Sequence, residues 1–488
     1  MQQEQKHAGF NKNTLLFIII LTSVINPFLG AAVNIALPMI GKEFSMNAIT
    51  MSWVAMSFLL SSAVFLVPFG KVADMLGRKK IFLYGNIIIA LSSLFCALSA
   101  NGTLLIIFRV IQGLGSSMTF ATGMAILTSA FPPQERGKAL GINVSAVYLG
   151  LSVAPFLGGM LTQTLGWRSL FLATLPFESL IIVLILIAVK TEWAEAKHEK
   201  FDYTGSLIYM MAISALMYGF SQLPATQGYV ITGSGLIGLL VFTRVELQQP
   251  FPVLNIDLFR NNRVFAFSNL AALINYAATF AVSFVLSLFL QYSQGLTPLQ
   301  AGSILVTQPF VMMIMASVSG RLSDKYDSRI LSSLGMAIIV VGLVMLSYID
   351  HETGKGYIIT SLVILGSGFG LFSAPNTNAV MSSVEKKYLG VASATVGTMR
   401  LTGQMFSMAI ATMILNVFIG KASIGPENQT LFLKSVKVIF LLFSFLCFLG
   451  VFASLARGKK DHQSSNQSIN KSSNPPIIKS INPQINKS

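Results

Sequence analysis

The sequence predicts an all-α polytopic membrane protein of fourteen transmembrane helices, arranged as two six-helix bundles with two extra central spans. Three observations lead there. Of 488 residues, 53% are hydrophobic and 10% are charged, against about 25% charged in soluble domains. Apolar runs of about 20 residues, the length a helix needs to cross a bilayer, recur along the chain. A short charged stretch, Gly70 to Lys80, returns in related form 250 residues later.

In lipid the backbone must close its own hydrogen bonds, so runs of this length are helices. The alternating ten-residue segments of an outer-membrane barrel are not seen. A polar N-terminus, 1–13, carries Lys6 and Lys12. Spans 1 to 6 fall at roughly 14–36, 51–70, 81–99, 103–128, 139–163 and 168–189, making an N-terminal bundle over 14–189. A charged linker, 190–203, is expected to be solvated. Two inserted spans follow at roughly 204–222 and 228–245, then a second polar linker, 246–263. Spans 9 to 14, at roughly 264–290, 302–319, 330–349, 356–376, 391–419 and 433–455, make a C-terminal bundle over 264–456. The tail, 457–488, is rich in Ser, Asn, Lys and Pro and reads as disordered. The first run lacks a small-residue cleavage site and reads as a mature helix.

The net charge of +15 does not point to nucleic acid, because the cations sit in short loops and in the tail. Of the 33 Lys and Arg, 25 lie on the face of the Gly70–Lys80 loop and six on the other, while Arg109 and Arg400 fall within spans. Positive charge is retained on the inner side of a membrane. That loop, both termini and the 190–203 linker are therefore expected in the cytoplasm, with the chain in a prokaryotic cytoplasmic membrane. Cys96 and Cys447 lie in apolar runs, and the four histidines fall in loops or tails with no metal spacing. There is no phosphate-cradling glycine loop and no nucleophile elbow. An enzyme, a metal site, a cofactor and an ATP-driven pump are all unexpected.

The repeated stretch sets Gly70 against Gly320 and Asp74 against Asp324. Gly141 and Gly390, each opening the fifth span of its half, are 249 residues apart. A constant offset indicates two parallel six-helix repeats, which place a substrate site near the midplane between them.

Several short motifs occur in order. Gly70, Asp74, Gly77 and Arg78 form one, with Met75 where a basic residue is usual. Leu105, Arg109, Gln112, Gly113 and Gly115 form another in span 4. Gly150, Pro155, Gly158 and Gly159 lie in span 5, with Ala154 in place of a glycine. Asn34 to Pro38, Trp167-Arg168, Phe201 to Gly205 and Leu296 to Gly302 complete the set. On these motifs the chain resembles the major facilitator superfamily, in particular its fourteen-span drug:proton antiporter branch of multidrug efflux type, over roughly 14–456. The resemblance implies the major facilitator fold, proton-coupled efflux and a span 5 bend that favours export. One position departs: the aspartate usual five residues before Asn34 is Leu29.

Physical readings stand beside the resemblance. Asp74 ends a helix and is either a gating group or a static cap, with Asp324 as its counterpart. Gly70 and Gly77 suit close approach or positive φ. Gly320 repeats Gly70. Arg78 and the two lysines after it suit topology and lipid phosphates. Arg109 within a span faces a cavity or snorkels. Glu178, in span 6, is the acid well inside a span, hence either a possible proton-coupling site or a headgroup-level residue. Gly150, Pro155, Gly158 and Gly159 allow tight helix contact. Asn34, Arg109, Gln112, Asn275, Tyr276, Gln308, Asn376, Arg400 and Gln404 are expected to line a cavity, or in part to hydrogen-bond between helices.

The expected function is secondary export of small amphipathic organic compounds by alternating access, driven by protons, from a monomer in the lipid bilayer. An exporter of an anionic metabolite or lipid-like compound with different coupling is one alternative, and a non-transporting sensor or scaffold is another.

Overall fold

The computed structural model describes residues 11–458, except 195–199, 250–251, 255, 324–325, 385–388 and 421–425. Asp324, the middle of the 190–203 linker and the tail beyond 458 lie outside the described residues.

Among the described residues, fourteen helices are long and apolar enough to cross a membrane. Spans 1 to 6 are Lys12–Glu43, Ala48–Leu76, Arg78–Ala97, Gly102–Ala130, Gly141–Leu165 and Ser169–Ala188. Spans 7 and 8 are Tyr203–Gln222 and Thr226–Glu246. Spans 9 to 14 are Arg263–Ser293, Pro298–Gly320, Ser328–Leu346, Lys355–Ser382, Thr395–Ile419 and Gln429–Leu455. The all-helical fold and the fourteen spans agree with the sequence reading. Several starts are set by short polar caps that accept a bond from an otherwise orphaned backbone N–H. Asn47 takes Thr50 N at 2.8 Å, Asn101 takes Leu104 N at 2.9 Å and Asn262 takes Phe265 N at 2.9 Å. Thr297 and Gln300 cap span 10 reciprocally.

The two halves repeat one set of helix pairings. In the first, span 1 packs on span 5, span 4 on spans 2 and 3, and span 6 on spans 1 and 3. In the second, span 9 packs on span 13, span 12 on spans 10 and 11, and span 14 on spans 9 and 11. The seam between halves obeys the same correspondence: span 5 lies on span 10, and span 2 on span 13. Span 7 packs beside that second contact, against spans 2 and 13. Tyr209 donates to the Ala63 carbonyl at 3.2 Å, and the Phe220 ring meets Phe406 at 5.9 Å. Span 8 is the least buried of the fourteen and leans on span 7.

Two expectations about the loops are corrected. Gly70–Lys80 is not a loop: the helix of span 2 continues to Leu76, span 3 starts at Arg78, and Gly77 alone makes the break. Apolar hydropathy ends before the helix does, because backbone hydrogen bonding continues through the polar turn. Nor is the 190–203 linker simply solvated. Glu192 accepts from Lys79 N at 2.8 Å, and the Trp193 carbonyl accepts from Arg78 N at 2.8 Å. Asp202 is buried and caps span 7 by accepting from Gly205 N at 2.8 Å.

Candidate functional site

Spans 1, 5, 9, 10, 12 and 13 enclose a cavity on the seam, at the middle of the spans, of about 820 Å³ counting its open mouth. Its walls are mostly apolar, with Leu151, Phe280, Leu305, Met312 and Phe369 among them. Into this surface project Asn34, Tyr276, Gln308, Arg400 and Gln404, drawn from spans 1, 9, 10 and 13. Arg400 and Gln404 share a face because they are one helical turn apart. The Arg400 guanidinium stands 5.7 Å from the Tyr276 ring centroid, and its Nε is buried without a hydrogen-bond partner. Asn34 Oδ1 is likewise unpartnered, and its Nδ2 reaches Ser283 Oγ only at 3.5 Å. Among the described residues Arg400 is the one charged side chain of the lining.

Hydrogen bonds across the seam gather on one side of this cavity, at the face opposite the basic loops. Ser287 Oγ donates to the Asn34 carbonyl at 2.9 Å, Gln291 Nε2 to the Ile35 carbonyl at 3.0 Å, and Thr412 Oγ1 to Ser52 Oγ at 2.9 Å. Leu299 N donates to Gln163 Oε1 at 3.3 Å. Close backbone approach occurs here as well. A Cβ on Gly302 would fall on the Pro155 carbonyl, and one on Gly159 would come within 2.5 Å of the Pro298 carbonyl. The Tyr148 hydroxyl bonds Ser373 Oγ at 2.5 Å nearer the basic face. Gly150 and Gly158 turn the other way, against Val24 and Ala32 of span 1. Span 5 is thus held between span 1 of its own half and span 10 of the other.

At the basic face Asp74 accepts from Arg78 Nε at 2.7 Å, and Arg78 Nη1 bonds Ser129 Oγ at 2.5 Å, tying spans 2 and 3 to the end of span 4. Arg78 is buried, not turned to lipid headgroups as the sequence suggested. Gly77 has φ +119°, which L side chains rarely adopt, and a Cβ there would fall on the Glu192 carboxylate. Gly70 and Gly320 have neither requirement: they sit at the ends of continuous helices with open space beside them.

Several residues expected together are apart. Arg109 neither lines the cavity nor snorkels. It is fully buried, donates from Nε to the Val54 carbonyl at 3.0 Å and from Nη1 to Gln112 Oε1 at 2.5 Å, and lies 4.3 Å over the Phe58 ring. Gln112 continues to Ser93 Oγ at 2.7 Å. The arginine therefore cross-links spans 2, 3 and 4, and a carbonyl, a side-chain amide and an aromatic face replace the missing acid. Asn275 and Asn376 are buried outside the lining. Glu178 does not face water: it is fully buried in span 6, which packs on spans 1 and 3, and neither carboxyl oxygen has a partner. The sequence reading missed Tyr148, Ser283, Ser287 and Gln291. Ser283, Ser287 and Gln291 recur every four residues along span 9, the period that puts polar groups on one helical face.

Two parallel six-helix bundles with a cavity on their seam define the architecture of a membrane transporter. The family model described as Major Facilitator Superfamily matches residues 19–408, and again 269–484. The chain belongs to the major facilitator superfamily. It is 28% identical to the riboflavin transporter RibZ of Clostridioides difficile, across 84% of this chain and 88% of that protein. It is 28% identical to the multidrug resistance protein Stp of Mycobacterium tuberculosis, across 85% and 76% respectively. Among solved structures, a mutant of the nucleoside transporter NupG superposes with a TM-score of 0.61 at 13% identity, over 91% of this chain and all of that one. That likeness concerns the fold alone.

Proposed function

We propose that this chain is a secondary exporter that carries amphipathic organic compounds out of the cytoplasm by alternating access. The observation that carries the reading is the cavity itself: mostly apolar, at mid-span, and bounded by both repeats. The relatives named for riboflavin transport and multidrug resistance support an organic cargo. The basic face is assigned to the cytoplasm on the distribution of Lys and Arg. The seam bonded at the opposite face is then the outer gate, shut in this conformation. Asp74 and Arg78 brace the N-terminal half as a body, and rocking moves that body against the other.

The resemblance assigns the drive to protons, but position 29 is leucine and Glu178, the acid buried in span 6, lies outside the cavity lining.

Alternating access is tested with a pair of cysteines, Gln163→Cys and Leu299→Cys, placed where spans 5 and 10 meet. Riboflavin, ethidium and naphthalene-2-sulfonate counterflow is measured in proteoliposomes. Oxidation should abolish counterflow and reduction should restore it. Full-rate counterflow by the cross-linked protein would refute alternating access through this seam, and counterflow of none of the three compounds would count against the cargo class.

A further inference from the structure

We propose that the cavity takes organic anions, and that the membrane potential, not a proton, drives their export. The inference rests on the exporter reading above.

Its first support is the charge of the lining. Arg400 is the single charged side chain there, its Nε has no partner, and no carboxylate pairs with it among the described residues. A cation within a span calls for a counter-charge from a cavity. An anionic group on the cargo supplies one, whereas a cationic compound meets repulsion where dielectric screening is weakest. The Tyr276 face, 5.7 Å from the guanidinium, keeps Arg400 on the cavity side. Gln404 and Gln308 add amide groups within the same lining. The apolar walls suit an aromatic or alkyl body, so the class is an amphipathic carboxylate or sulfonate.

A second support is the placement of the acids. Leu29 is buried in span 1 as an ordinary core residue. Asp74 is engaged by Arg78, and Glu43 by Arg168 and Trp167. Asp202 and Glu246 converge on Gly205 at the ends of the inserted spans. Glu178 packs within the N-terminal half. None of these lines the cavity, so no proton competes with cargo for one group there.

Energetics make the missing acid intelligible. Over a full cycle the carrier's own charges return to their starting positions, and the net charge moved is that of the cargo. An anion leaving a cell whose interior is negative moves down the electrical gradient, so it needs no exchanged proton. At equilibrium a monovalent anion shifts its distribution tenfold for about 60 mV.

The test uses the full chain in proteoliposomes, with radiolabelled naphthalene-2-sulfonate as anion and ethidium as cation. Potassium gradients with valinomycin set the potential, and the pH gradient is set independently. We expect an interior-positive potential to accumulate the sulfonate about tenfold per 60 mV, with no response to pH gradient alone. Arg400→Gln should slow this at least tenfold, Arg400→Lys should retain part of it, and Glu178→Gln should leave it unchanged. Accumulation that follows the pH gradient at zero potential and is lost in Glu178→Gln would overturn the inference and give the drive to Glu178. Ethidium or riboflavin counterflow without sulfonate transport would overturn it while leaving the exporter reading intact. Counterflow of none of the three would overturn both.

Discussion

Gly77→Ala is the substitution whose cost follows most directly from local geometry. At φ +119° a Cβ is strained by about 1–3 kcal/mol. The same Cβ falls on the Glu192 carboxylate, which must leave. Its departure breaks the 2.8 Å bond from Lys79 N, a charge-assisted contact worth roughly 1.5–3 kcal/mol. Together the loss is about 2.5–6 kcal/mol, felt where the 190–203 linker docks on the turn between spans 2 and 3. Thermal unfolding in detergent, followed by intrinsic fluorescence at one scan rate, should fall by several degrees, and trypsin should cut the linker faster. Glu192→Ala removes the collision but not the strain. The double variant should therefore be less damaged than the sum of the singles, with a coupling of about 1.5–3 kcal/mol, the bond that both singles lose. An unchanged melting temperature in Gly77→Ala, or strict additivity in the double variant, would refute the reasoning.

Arg109→Lys keeps the charge but cannot reach both the Val54 carbonyl and Gln112. It should cost about 2–3 kcal/mol and leave the ratio of rates for different cargoes unchanged, because Arg109 stands outside the cavity; a shift in that ratio would place it in the binding surface after all. Gly302→Val puts a side chain against the Pro155 carbonyl. About 1–3 kcal/mol of overpacking, felt only by the conformation in which spans 5 and 10 meet, should cut its population roughly 5- to 150-fold, read as slowed counterflow by a protein that stays monodisperse. The Asp350 carboxyl, in the turn after span 11, is held below its ordinary range chiefly by the Thr353 hydroxyl bond, with the backbone N–H of Glu352 also donating. A folded-state value below the unfolded one gives stability that is full above the ordinary aspartate range, about 3.8, and lost as pH falls through the folded value. Amide exchange at Glu352 and Thr353 should quicken below that range, and in Asp350→Asn it should be fast throughout.

Much of the fold was legible in the chain because the bilayer permits so few solutions. Runs of about 20 apolar residues can only be helices, and the constant offset between Gly70 and Gly320 and between Gly141 and Gly390 exposed the duplication. The same pressure hid the helix ends. Apolar runs mark what lies in lipid, whereas helices continue until a cap or a Gly77 stops them, so the Gly70–Lys80 stretch was mistaken for a loop. For the site, residue type and span were readable, but direction was not. Arg109 and Arg400 look alike in sequence, each an arginine in an apolar run with a glutamine three or four residues on. One points into the packing of spans 2, 3 and 4, where a carbonyl and an aromatic face receive it. The other points into the seam. Glu178 and Asp74 divide similarly, one buried without a partner and one bonded to Arg78. The sequence by itself determined the solvent, the number of spans, the repeat and the charged face, because these depend on hydropathy and counting. Only the tertiary structure decided which polar groups meet across the seam, because a helix presents every side and its rotation is set by what packs against it.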